Sequence, residues 1–355
     1  MRWFKTDTPT RELAFIIVAA IVLFGLPWFL PLIGGYRELA TTIVIWGILA
    51  LGLDILVGFT GFLSFGHAAF WGGGSYIAGL YLLHATNHAL VAMLCGVIVV
   101  TALAFVLALV TLRRHGIYFA ILTLAFAEMF YFAALAPLQA WTGGDNGLTG
   151  IHSAYLLGQI KLSGQALYIF AAAWALLGLY MARRIQRSPY GLILRAIKAN
   201  ETRLTYTGIN VFRYKVMAFV ISGLYGGLAG TLATLHETYV PVGSLHWTTS
   251  GEVIIMAVIG GFGTLVGPMI GAGIVLYLEN VLSGITSLWH LILGAIFMGI
   301  VIFLPGGVMD AGRRIWRLFD RRDRQPIATQ PQQTQGSQEQ APSSLQSQVS
   351  PTQPE

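Results

Sequence analysis

This chain of 355 residues is 55% hydrophobic and only 10% charged, and its mean hydropathy is +0.69. Soluble domains carry about 25% charged residues, so the composition excludes a soluble protein and indicates a polytopic membrane protein. The formal net charge of +6 does not indicate a nucleic-acid partner, because the basic residues cluster between and after apolar segments. Membrane topology and anionic lipid account for them there.

The N-terminal residues 1–12 are basic and are predicted to be cytoplasmic. No small-residue cleavage site follows, so an uncleaved first helix is predicted rather than a signal peptide. Residues 13–304 form the predicted all-α transmembrane domain, built from segments near the ~20 residues that cross a bilayer. The apolar segments are Leu13–Leu32, Leu39–Val57, Phe65–Leu83, Ala89–Leu112, Ile117–Pro137, Ala166–Met181, Val216–Leu235, Val253–Asn280 and Leu288–Leu304.

Glycine is unusually dense between Gly58 and Ser75. One interpretation is tight helix packing through small residues. The other is a broken or re-entrant element whose freed backbone groups and polar side chains line a substrate path. Glycine content alone leaves both interpretations open. The polar side chains concerned are Thr60, Ser64 and His67.

A long polar interruption, Arg183–Lys215, separates two apolar segments. Ser188 suits an N-cap and Pro189 the first helical position, which needs no N–H, so a short helix is predicted to begin there. Its apolar residues share one side, which predicts an amphipathic helix on the cytoplasmic face. The shared side holds Ile193, Ala196, Ile197 and Leu204, and the basic residues Arg195, Lys198 and Arg203 point elsewhere. A solvated connector that only sets topology is the alternative.

The segment Val253–Asn280 is interrupted by Gly260–Thr264 and by Gly267–Pro268. Glycine and proline are unfavourable inside a helix, so we expect the chain to turn there. About ten transmembrane helices and two cytoplasmic termini follow from such a turn. The predicted cytoplasmic segments hold Arg113–Arg114, Arg183–Lys215 and Arg313–Arg324, and the predicted outer segments are His84–His88, Leu138–Ser163 and His236–Ser250.

Residues 305–324 are predicted to be a basic cytoplasmic segment, and the composition then changes to Gln, Pro and Ser in residues 325–355. This last segment has too little apolar surface to offset its ordering entropy, so a disordered tail is predicted. We expect it to be a dispensable extension, with a regulatory role as the alternative.

Several separate passages, in order, resemble bacterial branched-chain amino acid ABC transporter permeases, of the second permease subunit type. The resemblance covers about residues 52–305. The general importer motif is matched only loosely, because Gly208 falls seven residues after Glu201 and no alanine follows that glutamate. The passages are Gly58–Phe70, Tyr118–Met129, Thr142–Gly150, Arg195–Glu201 with Gly208–Val211 and Tyr214–Lys215, and Ala218–Gly230 with Gly260–Gly271.

The resemblance implies an ABC importer permease fold in a bacterial inner membrane, with branched-chain amino acids as substrate; similar permeases move urea or short amides. It implies as partners a second homologous permease, two ATPase subunits and an extracytoplasmic substrate-binding protein. The implied ATPase-docking residues are Ser188, Pro189, Gly191, Arg195, Ala196, Ile197, Asn200, Glu201 and Gly208. The implied translocation path holds Thr60, Gly61, Ser64, Gly66, His67, Thr123 and Glu128, and the implied outer face holds Thr142, Gly143, Gly144, Asn146 and Gly147.

Glu128 lies within an apolar segment, where a carboxylate costs about 2.5 to 3.5 kcal/mol and faces protein or water. The related permeases often carry an amide here. Either a structural hydrogen bond or contact with the ammonium group of a zwitterionic substrate accounts for it. Asp54, Glu252 and Glu279 lie nearer to segment ends or breaks, where hydration or interfacial pairing suffices.

The sequence lacks the Gly-Lys-Ser or Gly-Lys-Thr of a phosphate loop. We therefore expect no cofactor in this chain and ATP on separate partner subunits. We also expect no catalytic residue and no metal site, so a membrane-embedded enzyme is a weak alternative. An ion-coupled secondary carrier of amino acids is the stronger one, because glycine-rich broken helices and Glu128 suit it. Such a carrier has no use for an ATPase-docking helix.

Overall fold

The computed structural model describes residues 9–156, 159–304 and 306–312 of the chain. In these residues helices dominate, and two short strands form a single antiparallel pair. The α-helices are α1 (Pro9–Phe29), α2 (Arg37–Thr60), α3 (His67–His84), α4 (Ala89–Thr111), α5 (Ile117–Leu135), α6 (Gln139–Thr142), α7 (Gln165–Arg187), α8 (Pro189–Thr205), α9 (Val211–Glu237), α10 (Trp247–Gly260), α11 (Val266–Ile285) and α12 (Trp289–Phe303). The strands are β1 (Tyr155–Leu156) and β2 (Ile160–Lys161), and 3₁₀ turns span Leu30–Ile33, Gly144–Asn146 and Val242–Leu245.

Seven helices in the described part of the chain are long and apolar enough to cross a membrane: α1 with the turn after it, α2, α4, α5, α7, α9 and α11. The helices α10 and α12 are apolar but shorter. Each predicted apolar segment is helical over most of its length, which confirms an all-α membrane protein. The count of about ten transmembrane helices stays a prediction.

The centre of the bundle is formed by α2 and α9, whose apolar windows are mostly buried, whereas α1 lies at the periphery. Lipid tails are as apolar as the side chains, so helices in a bilayer associate through close packing more than through the hydrophobic effect. Small residues make this close approach possible. A Cβ added at Gly230 of α9 would lie 2.0 Å from the carbonyl oxygen of Trp71 in α3.

The break predicted near Gly260 is confirmed. A Cβ added at Gly271 would lie 1.9 Å from the carbonyl oxygen of Met256, and one at Gly260 would lie 1.9 Å from that of Gly267. These pairs run in opposite directions along the sequence, so α10 and α11 pack as an antiparallel hairpin. The chain therefore reverses at 261–265, a segment called here the α10–α11 reversal.

The predicted loops gather at two ends of the bundle. At one end, here the loop end, His88 pairs with Tyr155 and Leu148 pairs with Val240, which joins the three segments predicted to lie outside. At the other, the α8 end, residues of the α4–α5 connection and of α8 line one cavity. This grouping agrees with the predicted topology, and which end faces the cytoplasm stays a prediction. The predicted tail at 325–355 and most of the flanking segments 1–12 and 305–324 lie outside the described residues.

Candidate functional site

The start of α8 is capped as the sequence predicts. Ser188 Oγ accepts a hydrogen bond from the backbone N–H of Gly191 at 3.3 Å, and Pro189 is the first helical residue. A Cβ added at Gly191 would lie 2.3 Å from the carbonyl oxygen of Ile185. The first turn of α8 therefore packs against the last turn of α7 so closely that only glycine fits.

Arg195 is bound within the chain. Its Nη2 donates to the carbonyl oxygen of Gln186 at 2.9 Å, and its Nε donates to that of Gly191 at 3.2 Å. The last carbonyls of a helix have no intrahelical partner, so the guanidinium satisfies the end of α7 and fixes the angle between α7 and α8. Any docking role of Arg195 stays a prediction.

One face of α8 is buried against the bundle. Leu194 is 0% exposed and Ile197 is 3% exposed. The apolar spacing predicted Ile193 on that face and did not indicate its neighbour Leu194. Tyr190 O–H donates to the carbonyl oxygen of Tyr214 in α9 at 3.1 Å. Burial raises the pKa of the Tyr190 phenol, so it remains a neutral donor. These contacts make α8 an element of the folded bundle as well as a surface helix.

The helix α8 is kinked at Asn200, whose backbone is non-helical with φ −165° and ψ 99°. Asn200 Oδ1 accepts from the backbone N–H of Arg203 at 2.8 Å, which is the geometry of an N-cap. The single predicted helix is therefore two helical pieces. The preference of asparagine for N-caps was the signal available in the sequence.

Glu201, predicted as an ATPase contact, forms an ion pair with Lys215 of α9. Lys215 is only 2% exposed, and its Nζ also lies 3.4 Å from His115 Nδ1 and 4.7 Å from the ring centroid of Phe62. Removing one partner from such a pair leaves an uncompensated buried charge. The pair thus holds the end of α8 against α9. Lys215 was predicted to lie in the polar interruption between two apolar segments, whereas α9 already begins at Val211 and buries it.

The other face of α8 points away from the bundle. Of the residues predicted to dock an ATPase, Pro189, Asn200 and Gly208 are exposed, and the other six are buried or half-buried. The sequence did not single out two large exposed side chains here: Leu192 in the first turn of α8 is 49% exposed, and Tyr206, directly after the helix ends, is 87% exposed. Exposed apolar side chains beside charges are typical of an interaction surface.

The glycine-rich passage contains a re-entrant stretch. The helix α2 ends at Thr60, residues 61–66 are not helical, and α3 begins at His67. His67 Nε2 lies 2.7 Å from Ser222 Oγ, which donates to the carbonyl oxygen of Gly52 at 2.6 Å. Gly52 lies two turns before the end of α2. Because His67 is connected to Gly52 through Ser222, the start of α3 lies inside the bundle at the level of Gly52, beyond the end of α2. The broken element is therefore present, and its role as a path stays a prediction.

Polar side chains in this stretch bind backbone groups. Phe65 N–H donates to Thr123 Oγ1 of α5 at 3.1 Å, and Gly66 N–H donates to Ser64 Oγ at 3.2 Å. Thr60 Oγ1 donates to the carbonyl oxygen of Leu56 at 2.5 Å. The hydrogen bonds of Phe65 and Gly66 satisfy a backbone that has left the helical pattern, whereas that of Thr60 lies within the last turn of α2.

A cavity of about 610 Å³ lies between the re-entrant stretch, the start of α5 and α8. Its wall is mainly apolar, with Lys198 and Glu201 as charged members. Among the predicted path residues Thr60 and Gly61 line it, whereas Ser64, Gly66, His67, Thr123 and Glu128 lie outside its lining.

Glu128 has a structural partner. Its Oε1 accepts from the backbone N–H of Trp247 at 3.0 Å and lies 3.7 Å from His246 Nε2. Trp247 is the first residue of α10, so the carboxylate satisfies an unpaired N–H at a helix N-terminus. This contact supports the structural alternative for Glu128.

The predicted outer face is a compact loop held by hydrogen bonds from side chains to backbone carbonyls and by close backbone contacts. Thr142 Oγ1 donates to the carbonyl oxygen of Ala134 at 2.6 Å, and Tyr239 O–H donates to that of Asn146 at 3.2 Å. A Cβ at Gly143 would lie 2.0 Å from the carbonyl oxygen of Gly147. Gly144 is buried, and Asn146 is exposed. The loop is therefore an ordered surface at the loop end.

An apolar helical bundle with a broken helix and an amphipathic end helix defines a multi-pass membrane protein, and comparison with known proteins gives its family. The family described as "Branched-chain amino acid transport system / permease component" matches residues 35–304. No solved structure matches the chain.

Individual relatives agree with this match. The high-affinity branched-chain amino acid transport system permease protein LivM of Escherichia coli K12 is 28% identical over 86% of this chain and 77% of its own length. The protein of the same name from Salmonella typhimurium LT2 is 27% identical over 84% of this chain and 75% of its own length. The ribose import permease protein RbsC of Bacillus subtilis 168 is 28% identical over 46% of this chain and 50% of its own length.

The chain belongs to the branched-chain amino acid transport system permease family. It is an ABC-type permease of the branched-chain amino acid and sugar group. The resemblance in its sequence implied the branched-chain amino acid permeases, and the relation to sugar permeases comes from the comparison.

Proposed function

We propose that this chain is a translocating subunit of an ATP-driven importer for branched-chain amino acids, and that α8 docks an ATPase subunit in the cytoplasm. The observation that carries the proposal is the two-sided character of α8. One face is buried in the bundle through Leu194 and Ile197. The other exposes Leu192, and Tyr206 is exposed directly after the helix ends; a partner of matching shape would bury both side chains.

The mechanism follows from the contacts of α8. Arg195 connects it to the end of α7, Lys198 donates to the carbonyl oxygen of Gly58 in α2 at 2.8 Å, and Glu201 pairs with Lys215 of α9. A displacement of α8 by closing ATPases is therefore passed to three helices at once. The differential binding of ATP to the two conformations supplies the free energy.

The cavity between α8, α5 and the re-entrant stretch would be the cytoplasmic mouth of the path. Its apolar wall suits an aliphatic side chain, and a second homologous permease would complete it. Two ATPase subunits would occupy the α8 end, and a substrate-binding protein would meet Thr142–Gly147 at the loop end. Both termini would then lie in the cytoplasm of a bacterial cell, whose inner membrane holds the protein. ATP would be bound by the partners, and this chain would carry no cofactor, metal or catalytic residue.

The test is transport by a reconstituted complex. The chain would be produced with the proposed ATPase subunits, second permease and binding protein, and the complex would be placed in proteoliposomes. We expect uptake of radiolabelled leucine to require ATP on the side of the membrane that carries the ATPase subunits. We expect the same uptake to continue when ion gradients are collapsed. Uptake that persists without ATP and stops when the gradient collapses would instead identify an ion-coupled carrier. Parallel assays with urea, acetamide and ribose would decide the substrate class.

A further inference from the structure

The carboxylate of Asp54 is buried at the end of α2 and binds the α10–α11 reversal. Asp54 is 0% exposed. Its Oδ1 accepts from the backbone N–H of Gly263 at 2.6 Å, and its Oδ2 accepts from that of Leu265 at 3.0 Å. The expectation of hydration or interfacial pairing at this position is therefore wrong, because the side chain is enclosed and its partners are backbone groups.

The reversal has a backbone that needs such a partner. Leu265 has φ +63°, a left-handed conformation that side chains disfavour, and Gly263 has φ +79°. The N–H groups of Gly263 and Leu265 both face the Asp54 carboxylate, one to each oxygen, and backbone N–H groups gathered in a turn form an anion-binding concavity. Here the anion is a side chain of another helix, so the reversal is fastened to α2.

The same end of α2 is fastened to α8. A Cβ added at Gly58 would lie 2.4 Å from Asp54 Oδ1 and 2.7 Å from the backbone nitrogen of Gly263. The carbonyl oxygen of Gly58 accepts from Lys198 Nζ of α8 at 2.8 Å. Short contacts therefore run without interruption from Lys198 through one turn of α2 to Gly263 and Leu265.

We infer that Asp54 is a positioning residue for transport, which makes the α10–α11 hairpin move together with α8. The inference rests on the proposed function, in which α8 receives the ATPase. Without the carboxylate, α8 would still dock its partner, but its displacement would no longer be passed to the hairpin. Docking and transport would then be uncoupled.

The test compares Asp54→Asn with wild type in a Cys95→Ala background. Asparagine keeps the shape and one acceptor oxygen but loses the charge and the second acceptor. Thr111→Val is the matched control, because it removes one buried side-chain hydrogen bond, to the carbonyl oxygen of Leu107, far along the sequence from the reversal. Spin labels on the exposed positions Ala199 and Ile270 report the distance between α8 and the hairpin by electron paramagnetic resonance.

In wild type and Thr111→Val we expect a narrow distance distribution that is the same with and without ATP. In Asp54→Asn we expect a broadened distribution, at least a tenfold loss of uptake, and ATPase copurification within twofold of wild type. A distribution in Asp54→Asn as narrow as that of wild type would overturn the inference, whatever happens to uptake.

If Asp54→Asn does not fold, Lys198→Met replaces it in the test. This substitution removes the hydrogen bond from Lys198 to the carbonyl oxygen of Gly58, which belongs to the same series of contacts, and it leaves the reversal intact. Broadening in this variant supports the inference, and a wild-type distribution overturns it. The proposed function fails separately, when wild type itself retains no ATPase subunit. The label distances in the permease alone still decide whether the fastening exists.

Discussion

The two ends of the bundle are held together in different ways. At the loop end, backbone groups meet backbone groups, as in the pairing of Leu148 with Val240. At the α8 end, long charged side chains cross from one helix to another: Arg195, Lys198 and Glu201 each reach a different helix. The first arrangement makes a stiff platform, and the second makes a set of links between helices.

The difference follows from what each type of contact tolerates. Backbone contacts through glycine leave no room for adjustment, so a binding surface built on them keeps its shape. Charged hydrogen bonds are strong, and on long side chains they span the gap between helices that would change their relative position in the proposed mechanism. We therefore expect substitutions at the α8 end to uncouple transport from ATP hydrolysis. Substitutions at the loop end should change only the affinity for a substrate-binding protein.

The largest expected effect comes from Gly191→Trp. The indole has no space beside Ile185, so α8 must leave its position on α7. Uptake should fall below one-tenth of wild type and ATPase copurification should be lost, with the protein still in the membrane. Gly25→Trp is the control, because Gly25 of α1 has open space around it. Unchanged copurification of Gly191→Trp would remove α8 as the docking helix.

Next is Glu201→Gln, which leaves Lys215 buried without its counter-charge. Removing one partner of a buried pair costs about 3 to 5 kcal/mol. The melting temperature of the protein in detergent should therefore fall markedly. Lys215→Met should cost less, because the Glu201 side chain, which is 30% exposed, can be hydrated. The double variant should recover part of the loss. A double variant less stable than Glu201→Gln would show that the charges are not paired.

At the loop end, Gly147→Ala should cost about 1 to 3 kcal/mol through backbone strain, because Gly147 has φ +68° and its Cβ would lie 2.4 Å from the carbonyl oxygen of Val240. Binding-protein affinity, measured by surface plasmon resonance, should weaken while ATPase copurification stays at the wild-type level. Gly243→Ala, in open space at the same end, should leave both unchanged. Loss of ATPase copurification in Gly147→Ala would contradict the separation of the two ends.

A smaller effect is expected for Glu128→Gln. Glutamine retains an oxygen that accepts from Trp247, so a structural role predicts a KM for uptake within twofold of wild type. A tenfold rise in KM with an intact complex would instead indicate contact with the substrate ammonium group.

The smallest effect is expected from deletion of residues 325–355, which the sequence predicts to be a disordered extension. Uptake should remain at the wild-type level in the proteoliposome assay. Loss of uptake would show that the tail has a role in regulation or partner binding.

The local sequence was enough to predict the transmembrane helices and the residue at which α8 begins. Apolar segments of sufficient length dictate helices, and the Ser188–Pro189 pair dictates where α8 begins. The fastening contacts were not predictable in the same way. Asp54 and Lys215 are defined by the backbone and side chains that other helices bring to them, which no local pattern encodes. The kink at Asn200 was predictable in part. Asparagine favours helix N-caps, but the local sequence does not show that α8 is interrupted at this residue.

Site-specific photocrosslinking can show whether an ATPase subunit binds at α8. Benzoylphenylalanine would replace Tyr206, directly after α8, or Trp141, 64% exposed, near the loop end, in the complex produced with its partners. We expect the probe at 206 to crosslink to an ATPase subunit and the probe at 141 not to do so. A crosslink to an ATPase from position 141, or none from position 206 in an assembled complex, would contradict the proposed docking at α8.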